Sequence, residues 1–357
     1  MNEVIQKPPL FTMYPKLEPH IPWVQLLPQY TPIEQMLGLQ KKFSIDSLWV
    51  KRDDITTSIY GGNKPRKLEF ILADAKRKGC KKVMTIGGFG SNFCVANAVF
   101  CKEIGLKAIA VLVNQPMAAY VKKNLLLNVY FENELIYLKN RKKLKWIKLY
   151  KQILNRHVYF MLVPGGSVPL GTLGFVNAAF ELKEQIDNGE IAEPDHIFAP
   201  SGSAGTVAGL ALGLKLANLK SKVHAVQVST FADYDDILQL AHNTWKLMKT
   251  YESSIPEVKV DNLIFETKYF GKGYAEPTDE GIKAIEIYKE SENFLLETTY
   301  SGKTFAALLG FIKENKEELK EKTILFWNTY NSVDVSNLIQ KVNYKELPKQ
   351  LHWIFEE

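Results

Sequence analysis

His196-Ile197-Phe198-Ala199-Pro200-Ser201-Gly202-Ser203-Ala204-Gly205-Thr206, followed by the run Val207–Ala217, is the stretch on which the fold turns. Residues 196–199 read as a buried strand, the next residues as a turn of small side chains, and the remainder as a helix. Small residues let backbone N–H groups approach an anion, and a helix N-terminus adds a favourable partial charge. Ser203 and Thr206 can add hydroxyl hydrogen bonds. The segment therefore reads as a cradle for a phosphate-bearing ligand; the plainer alternative is an ordinary strand-to-helix turn. No lysine lies in the loop. Ser301-Gly302-Lys303-Thr304 imitates the tail of a nucleotide-binding P-loop, but Glu297 stands where that motif needs its first glycine. No G-x-G-x-x-G followed by a ribose-binding acid occurs either.

Working outward, the same alternation recurs along the chain. Strands are expected at 48–51, 82–87, 107–114, 134–138, 158–164, 196–199, 222–228 and 323–328. Amphipathic segments such as 67–78 and 91–104 lie between them. Strand–helix alternation implies parallel sheets covered by helices, joined by right-handed crossovers. In such sheets ligands bind at the carboxyl ends of the strands. Three glycine-rich turns mark where to look: Gly61–Gly62, Gly87–Gly88 with Gly90, and Gly202 through Gly205.

The first of these turns runs into Asn63-Lys64-Pro65-Arg66-Lys67-Leu68-Glu69. A lysine just after a flexible diglycine, at the start of a helix, is placed to face a cleft. Its charged form is disfavoured there, and such an amine can form a Schiff base. Read alone, a lysine so placed is more often a surface lysine in a turn. In the second turn, Ser91 and Asn92 are suited to cap a helix. In a cleft, the same N-terminus can bind a carboxylate, with Ser91 carrying a proton.

The 357 residues are enough for two packed lobes or one large α/β unit, and 46% hydrophobic with 24% charged residues is an ordinary globular balance. The N-terminus lacks a basic start followed by an apolar core, and no apolar run is long enough to cross a bilayer. Cys80, Cys94 and Cys101 have neither disulfide-framework nor zinc spacing, and the six histidines form no metal motif. His196 and His224 fall in apolar strands and read as structural. A reducing cytoplasm fits this cysteine usage. The net charge is +6, and Lys139, Arg141, Lys142, Lys143, Lys145, Lys148 and Lys151 concentrate the excess. With Leu144, Ile147, Tyr150 and Leu154 at helical spacing, this reads as the solvated face of a surface helix, and a nucleic-acid or lipid patch is the alternative.

Taken together and in this order, the segments resemble the D-cysteine desulfhydrase and 1-aminocyclopropane-1-carboxylate (ACC) deaminase family of fold-type-II pyridoxal 5'-phosphate enzymes. The likeness runs over roughly residues 45–335. It includes Lys51-Arg52-Asp53-Asp54, the Gly61–Glu69 segment, Ile86-Gly87-Gly88 with Ser91-Asn92, Val163-Pro164-Gly165-Gly166-Ser167 running on to Leu173-Gly174-Phe175, the Gly202–Thr206 cradle, Gly273-Tyr274, and Thr299-Tyr300-Ser301-Gly302-Lys303. The resemblance implies a two-lobed α/β fold, a small lobe at about 70–172 and a large lobe from 1–69 and 173–357, with pyridoxal phosphate in the cleft between parallel sheets. It implies Lys64 as the Schiff-base lysine and Gly202, Ser203, Ala204, Gly205 and Thr206 around the phosphate. Asn92 would meet the ring hydroxyl, and Ser91 the substrate carboxylate. Tyr274 and Tyr300 would line the substrate pocket, with Ser301 or Thr329 at the pyridine nitrogen.

The implied reaction is β-elimination on a small amino acid, giving a keto acid and ammonia. No metal, nucleic acid or membrane takes part, and a homodimer is implied. Relatives that open the cyclopropane ring carry Glu where this chain has Ser301, which favours the desulfhydrase type over ACC deaminase. β-Replacement, racemisation and a catalytically silent cofactor-binding protein are the further alternatives. Asn328-Thr329-Tyr330-Asn331 replaces the family's histidine–threonine–diglycine loop and leaves the substrate open.

Overall fold

Unbroken apolar runs bounded by charged residues or glycine become strands buried on both faces. Lys107–Val113 is one, with Ile109 to Leu112 fully buried. The computed structural model describes residues 7–139, 143–147, 149, 157–292 and 294–356. Its strands are β1 (Ile33–Gln35), β2 (Ser47–Lys51), β3 (Lys82–Gly88), β4 (Lys107–Val113), β5 (Glu134–Leu138), β6 (Val158–Met161), β7 (His196–Ser201), β8 (Lys222–Gln227), β9 (Leu263–Glu266) and β10 (Thr323–Trp327). They form two sheets. One has four strands in the order β5-β4-β3-β6, all parallel; the other has six in the order β1-β2-β10-β7-β8-β9, parallel except for β1.

The helices that matter for the cleft are α1 (Lys64–Arg77), α2 (Asn92–Glu103), α3 (Tyr120–Tyr130), α4 (Pro169–Asp187), α5 (Gly205–Leu216), α6 (Tyr234–Tyr251), α7 (Asp279–Glu292) and α8 (Ser301–Glu314). Helices α4 and α5 are buried along most of their length, and small residues let them approach: a Cβ at Gly209 would lie 2.6 Å from Thr172 O, and one at Gly213 would lie 2.6 Å from Ala179 Cβ. Together with α6 and the inner faces of β7 and β8 they enclose the main core. A second core lies between α1, α2 and the four-stranded sheet. The C-terminal Leu347, Leu351 and Ile354 close a smaller cluster with Tyr120, Val121 and Leu125 of α3.

The expected strands are all present within a few residues, and the differences have local causes. β6 stops at Met161, because Pro164 opens a tight turn and cannot donate to a ladder. α1 starts at Lys64, three residues before the amphipathic pattern, because Pro65 is compatible with a first helical turn. β1 and β9 went unread: each is a short edge strand of three or four residues, paired on one side only. His196 and His224 lie side by side on β7 and β8. Their rings hydrogen-bond each other at 3.0 Å, His224 reaches Glu266 at 3.0 Å, and its ring stacks on Phe198. Of the basic stretch, Arg141, Lys142, Lys148, Tyr150, Lys151 and Leu154 lie outside the described residues, whereas Leu144 and Ile147 pack against a core cluster.

Candidate active site

A cavity of about 360 Å³ opens between the two sheets, where the carboxyl ends of β3 and β7 face each other. Gly61 and Gly62 carry the chain into it. A Cβ at Gly61 would lie 1.9 Å from Asp54 O; Gly62 has φ +97° and runs beside Thr329 O. Only glycine fits this passage. Asn331 Oδ1 accepts from Gly61 N at 2.8 Å, and Asn63 Nδ2 donates to Thr206 Oγ1 at 3.0 Å. Lys64 then enters the cavity, with its amine donating to Asn63 Oδ1 at 2.9 Å. Burial lowers this amine to about 8.

Helix α1 is fixed from behind by buried charges. Arg66 bonds Asp53 and Glu181, Lys51 reaches Glu181 at 2.6 Å, and Trp327 Nε1 donates to Asp53 at 2.8 Å. Burial alone would raise Glu181, but Arg66 and Lys51 outweigh it and hold it at about 2. The register of Lys64 is thus set by a network in which every charge is paired.

Gly202, Ser203, Ala204, Gly205 and Thr206 all line the cavity at the N-terminus of α5. Ala204 has φ +68° and ψ −41°, a backbone state costly for an L-residue. A Cβ at Gly205 would sit 2.6 Å from Lys67 Nζ and 2.7 Å from Ser167 Oγ. Ser167 Oγ also lies 2.8 Å from Ser203 Oγ and accepts from Gly205 N. Lys67 is 1% exposed, and among the described residues its amine meets only Gly165 O and Ser167 Oγ, each at 3.2 Å. Burial, then the neighbouring Lys64, push it well below its ordinary value. A buried amine without a carboxylate, next to a helix N-terminus, calls for an anion. Sequence reading found no lysine in the cradle. Lys67 comes from another segment and is the residue it missed, although it lies one helical turn beyond Lys64 on the same motif.

On the opposite wall, Ser91 caps α2, its Oγ accepting from Cys94 N at 3.3 Å. Asn92 Oδ1 accepts from Asn124 at 2.7 Å and Tyr60 at 3.4 Å. Tyr274 and Tyr300 share a hydrogen bond of 2.8 Å. Burial raises both phenols, Tyr300 well above the usual range. Ser91, Asn92, Tyr274, Tyr300 and Thr329 all line the cavity. Ser301 does not: it is fully buried, and its hydroxyl is engaged by Glu297. Glu297 was read only as a missing P-loop glycine. It lines the cavity and accepts from the N–H groups of Thr299, Tyr300 and Ser301, each at 2.7 Å. Tyr330 of the altered loop also lines the cavity, with its ring beneath Lys123. Among the described residues there is no cluster able to hold a metal ion, and no helix is long and apolar enough to cross a membrane.

Comparison with known proteins agrees with this geometry. The family described as pyridoxal-phosphate dependent enzyme matches residues 24–329. A protein of Pyrococcus abyssi, provisionally named 1-aminocyclopropane-1-carboxylate deaminase, is 31% identical over 327 residues, covering 89% of this chain and 94% of that one. The D-cysteine desulfhydrase of Yersinia pestis is 33% identical over 312 residues, covering 85% and 90%. The crystal structure of an ACC deaminase homologue superposes with a TM-score of 0.76 at 29% identity, covering 91% of this chain and 95% of that one. The residues present suit the cofactor of that family: a buried lysine amine stands at the cavity, and a cradle too tight for a Cβ is backed by a second lysine that meets no carboxylate among the described residues. With its parallel-sheet lobes and a lysine in the cleft between them, the chain belongs to the pyridoxal-phosphate dependent enzymes, in their fold-type-II form.

Proposed function

We propose that the enzyme catalyses a D-cysteine desulfhydrase-type β-elimination, taking a small amino acid and water to a keto acid, ammonia and the released β-substituent. The observation that carries this reading is the convergence of Lys64, the 202–206 cradle with Lys67, and the Tyr274–Tyr300 pair on one cavity. Lys64 would hold the cofactor covalently, and the cradle with Lys67 its phosphate. Asn92 would contact the ring hydroxyl, and Thr329 the ring nitrogen. When bound, pyridoxal phosphate supplies an electron sink for the Cα–H bond.

The chain's own groups do the rest. The α2 N-terminus and Ser91 receive the substrate carboxylate. The Lys64 amine, lowered to about 8, is partly neutral near physiological pH and takes the Cα proton. A phenol of the tyrosine pair hands a proton to the departing group. Glu297 is committed to three backbone N–H groups, and Ser301 is held by Glu297, so Thr329 offers a neutral hydroxyl at the ring nitrogen. A neutral partner supports simple elimination over opening of a cyclopropane ring. The named relatives keep ACC as the second reading. A homodimer in a reducing cytoplasm belongs to the same proposal.

The test is the visible spectrum of the protein with pyridoxal phosphate, titrated with D-cysteine, L-cysteine, D-serine and ACC. A band at roughly 410–420 nm that is lost in Lys64→Ala, with keto acid released from D-cysteine, is the expected result. Release from ACC alone would replace the desulfhydrase reading with the deaminase one. A band that survives Lys64→Ala would overturn the assignment of the lysine.

A further inference from the structure

A row of aromatic rings leads from the cradle out to solvent. Tyr300 stands over Gly202, where a Cβ would lie 3.3 Å from its Cε1. Tyr274 meets Tyr300 edge to face with ring centroids 6.0 Å apart, and Phe231 follows at 5.7 Å from Tyr274. Phe231 lines the cavity and is nevertheless 49% exposed, so it stands at the mouth. Its turn is fixed: Ser229 Oγ accepts from Phe231 N at 3.2 Å and donates to Gly202 O at 2.6 Å. From the four-stranded side, Pro116 and Leu162, shortly after the carboxyl ends of β4 and β6, line the same cavity.

The polar side chains beside Pro116 are already engaged. Gln115 accepts from Gly90 N at 3.1 Å and donates to Pro116 O at 3.3 Å, and Asn114 accepts from the Tyr137 hydroxyl. Among the described residues, the charged groups lining the cavity are Lys64, Lys67 and Glu297. The two lysines belong to the cofactor reading, and Glu297 is committed to the backbone N–H groups of Thr299, Tyr300 and Ser301. No charge is left for a group that extends outward past Tyr274. The mouth offers it an aromatic face and aliphatic surfaces. A half-exposed phenylalanine at a cavity rim gains by being covered with apolar surface. A charged group there would lose hydration with no partner in return.

We propose that this mouth is a subsite for an apolar substituent on the substrate sulfur, so that the substrates extend from cysteine to cysteine S-conjugates of uncharged, apolar thiols. This rests on the functional reading above and names a substrate class for it. The chemistry is that of the same elimination. The Cα–H and Cβ–S bonds break, the sulfur leaves with both electrons of its bond and takes up a proton, and water releases the keto acid. One conjugate and one water thus give one thiol, one three-carbon keto acid and one ammonia. Tyr274 lies between Tyr300 and Phe231, so a substituent that reaches Phe231 passes the phenol that would protonate it.

In the holoenzyme, S-benzylcysteine should release keto acid with a kcat/KM at least about tenfold above that of S-carboxymethylcysteine, in whichever enantiomer is turned over. Phe231→Ala should lower that ratio about tenfold, and Phe231→Lys should pass the preference to the acidic conjugate. A second measurement needs no turnover. 2-Amino-5-phenylpentanoate and 2-aminoadipate match the two conjugates with a methylene in place of sulfur, so neither carries a leaving group. Their dissociation constants, read from the visible band with both enantiomers, should differ at least about tenfold in favour of the phenyl compound in the wild type, and less than about threefold in Phe231→Ala. Equal affinities, a preference for the acidic compound, no response of the band to either, or a ratio unmoved by Phe231→Ala overturns the proposal. If D-cysteine is consumed and S-benzylcysteine is not, the subsite falls while the desulfhydrase reading stands. If no cysteine derivative releases keto acid, the functional reading falls, and the two dissociation constants alone decide the chemistry of the mouth.

Discussion

Lys64 and Lys67 lie one helical turn apart, and among the described residues neither amine meets a carboxylate. Burial lowers both, and their mutual repulsion adds to the effect on Lys67. The same strain serves two purposes. In the proposed reading it would make Lys64 a nucleophile and fit Lys67 to a negative charge. The reactive, neutral fraction of Lys64 reaches one half at about 8 and levels off about a unit above that. Cofactor uptake by the apoprotein should therefore quicken from about pH 6 to 9 and flatten above; a rate independent of pH in that range would count against the assignment. In the proposed reading, Lys67→Met removes the amine that would face the cofactor phosphate. It should weaken cofactor retention by about 1.5–3 kcal/mol, roughly ten- to a hundredfold, while the band position stays fixed. Equilibrium dialysis with absorbance reads both. Lys64 was legible because its diglycine and helix start are contiguous. Lys67 was not, because what isolates its amine is the Gly165–Ser167 turn, about a hundred residues away.

Helix ends shape the two sides of the cavity. α2 begins at Ser91, and that cap was readable because serine precedes the helix directly. α8 begins after Tyr300, and its first N–H groups go to Glu297, four residues before Ser301. This reach is longer than a capping box, so no short pattern announces it. The cap also explains why Ser301, expected at the ligand, turns away: its hydroxyl completes the shell around that carboxylate. Glu297→Ala would leave three N–H groups without their acceptor and loosen the backbone that carries Tyr300. A loss of about 1–3 kcal/mol in stability is expected, with a fall in kcat larger than any change in KM. Thermal unfolding together with steady-state kinetics would show it. A stable variant with unchanged kcat would mean that Tyr300 holds its position without the cap. At this scale the buried strands were legible from their apolar runs, and the edge strands β1 and β9 were not, because pairing on one side leaves them short and half exposed.

At the scale of the molecule, the lysine is held by a knot of charges that no local window contains. Lys51 ends β2, Arg66 lies on α1, Glu181 on α4, and Trp327 on β10, with Asp53 joining them. Lys51-Arg52-Asp53-Asp54 and Arg66 could be read as a pattern, but Glu181 enters only when α4 packs against α1. All four charged groups are at most 2% exposed. Such a knot adds little net stability while intact, and is costly to break. Arg66→Met strands Asp53 and Glu181 with Lys51 as their one remaining cation in the group, and should cost about 3–5 kcal/mol. The acid limb follows from the same residues. Glu181 falls from its unfolded value near 4.5 to about 2 on folding, so its contribution is complete above 4.5 and is lost as pH drops towards 2. Arg66→Met should therefore unfold at a lower temperature at neutral pH and lose less on acidification than the wild type does. Because α1 carries Lys64, the variant should also release cofactor before it unfolds, which absorbance and calorimetry on one sample would separate. If both transitions coincide and the acid limb is unchanged, the knot stabilises the fold as a whole and does not set the register of the lysine.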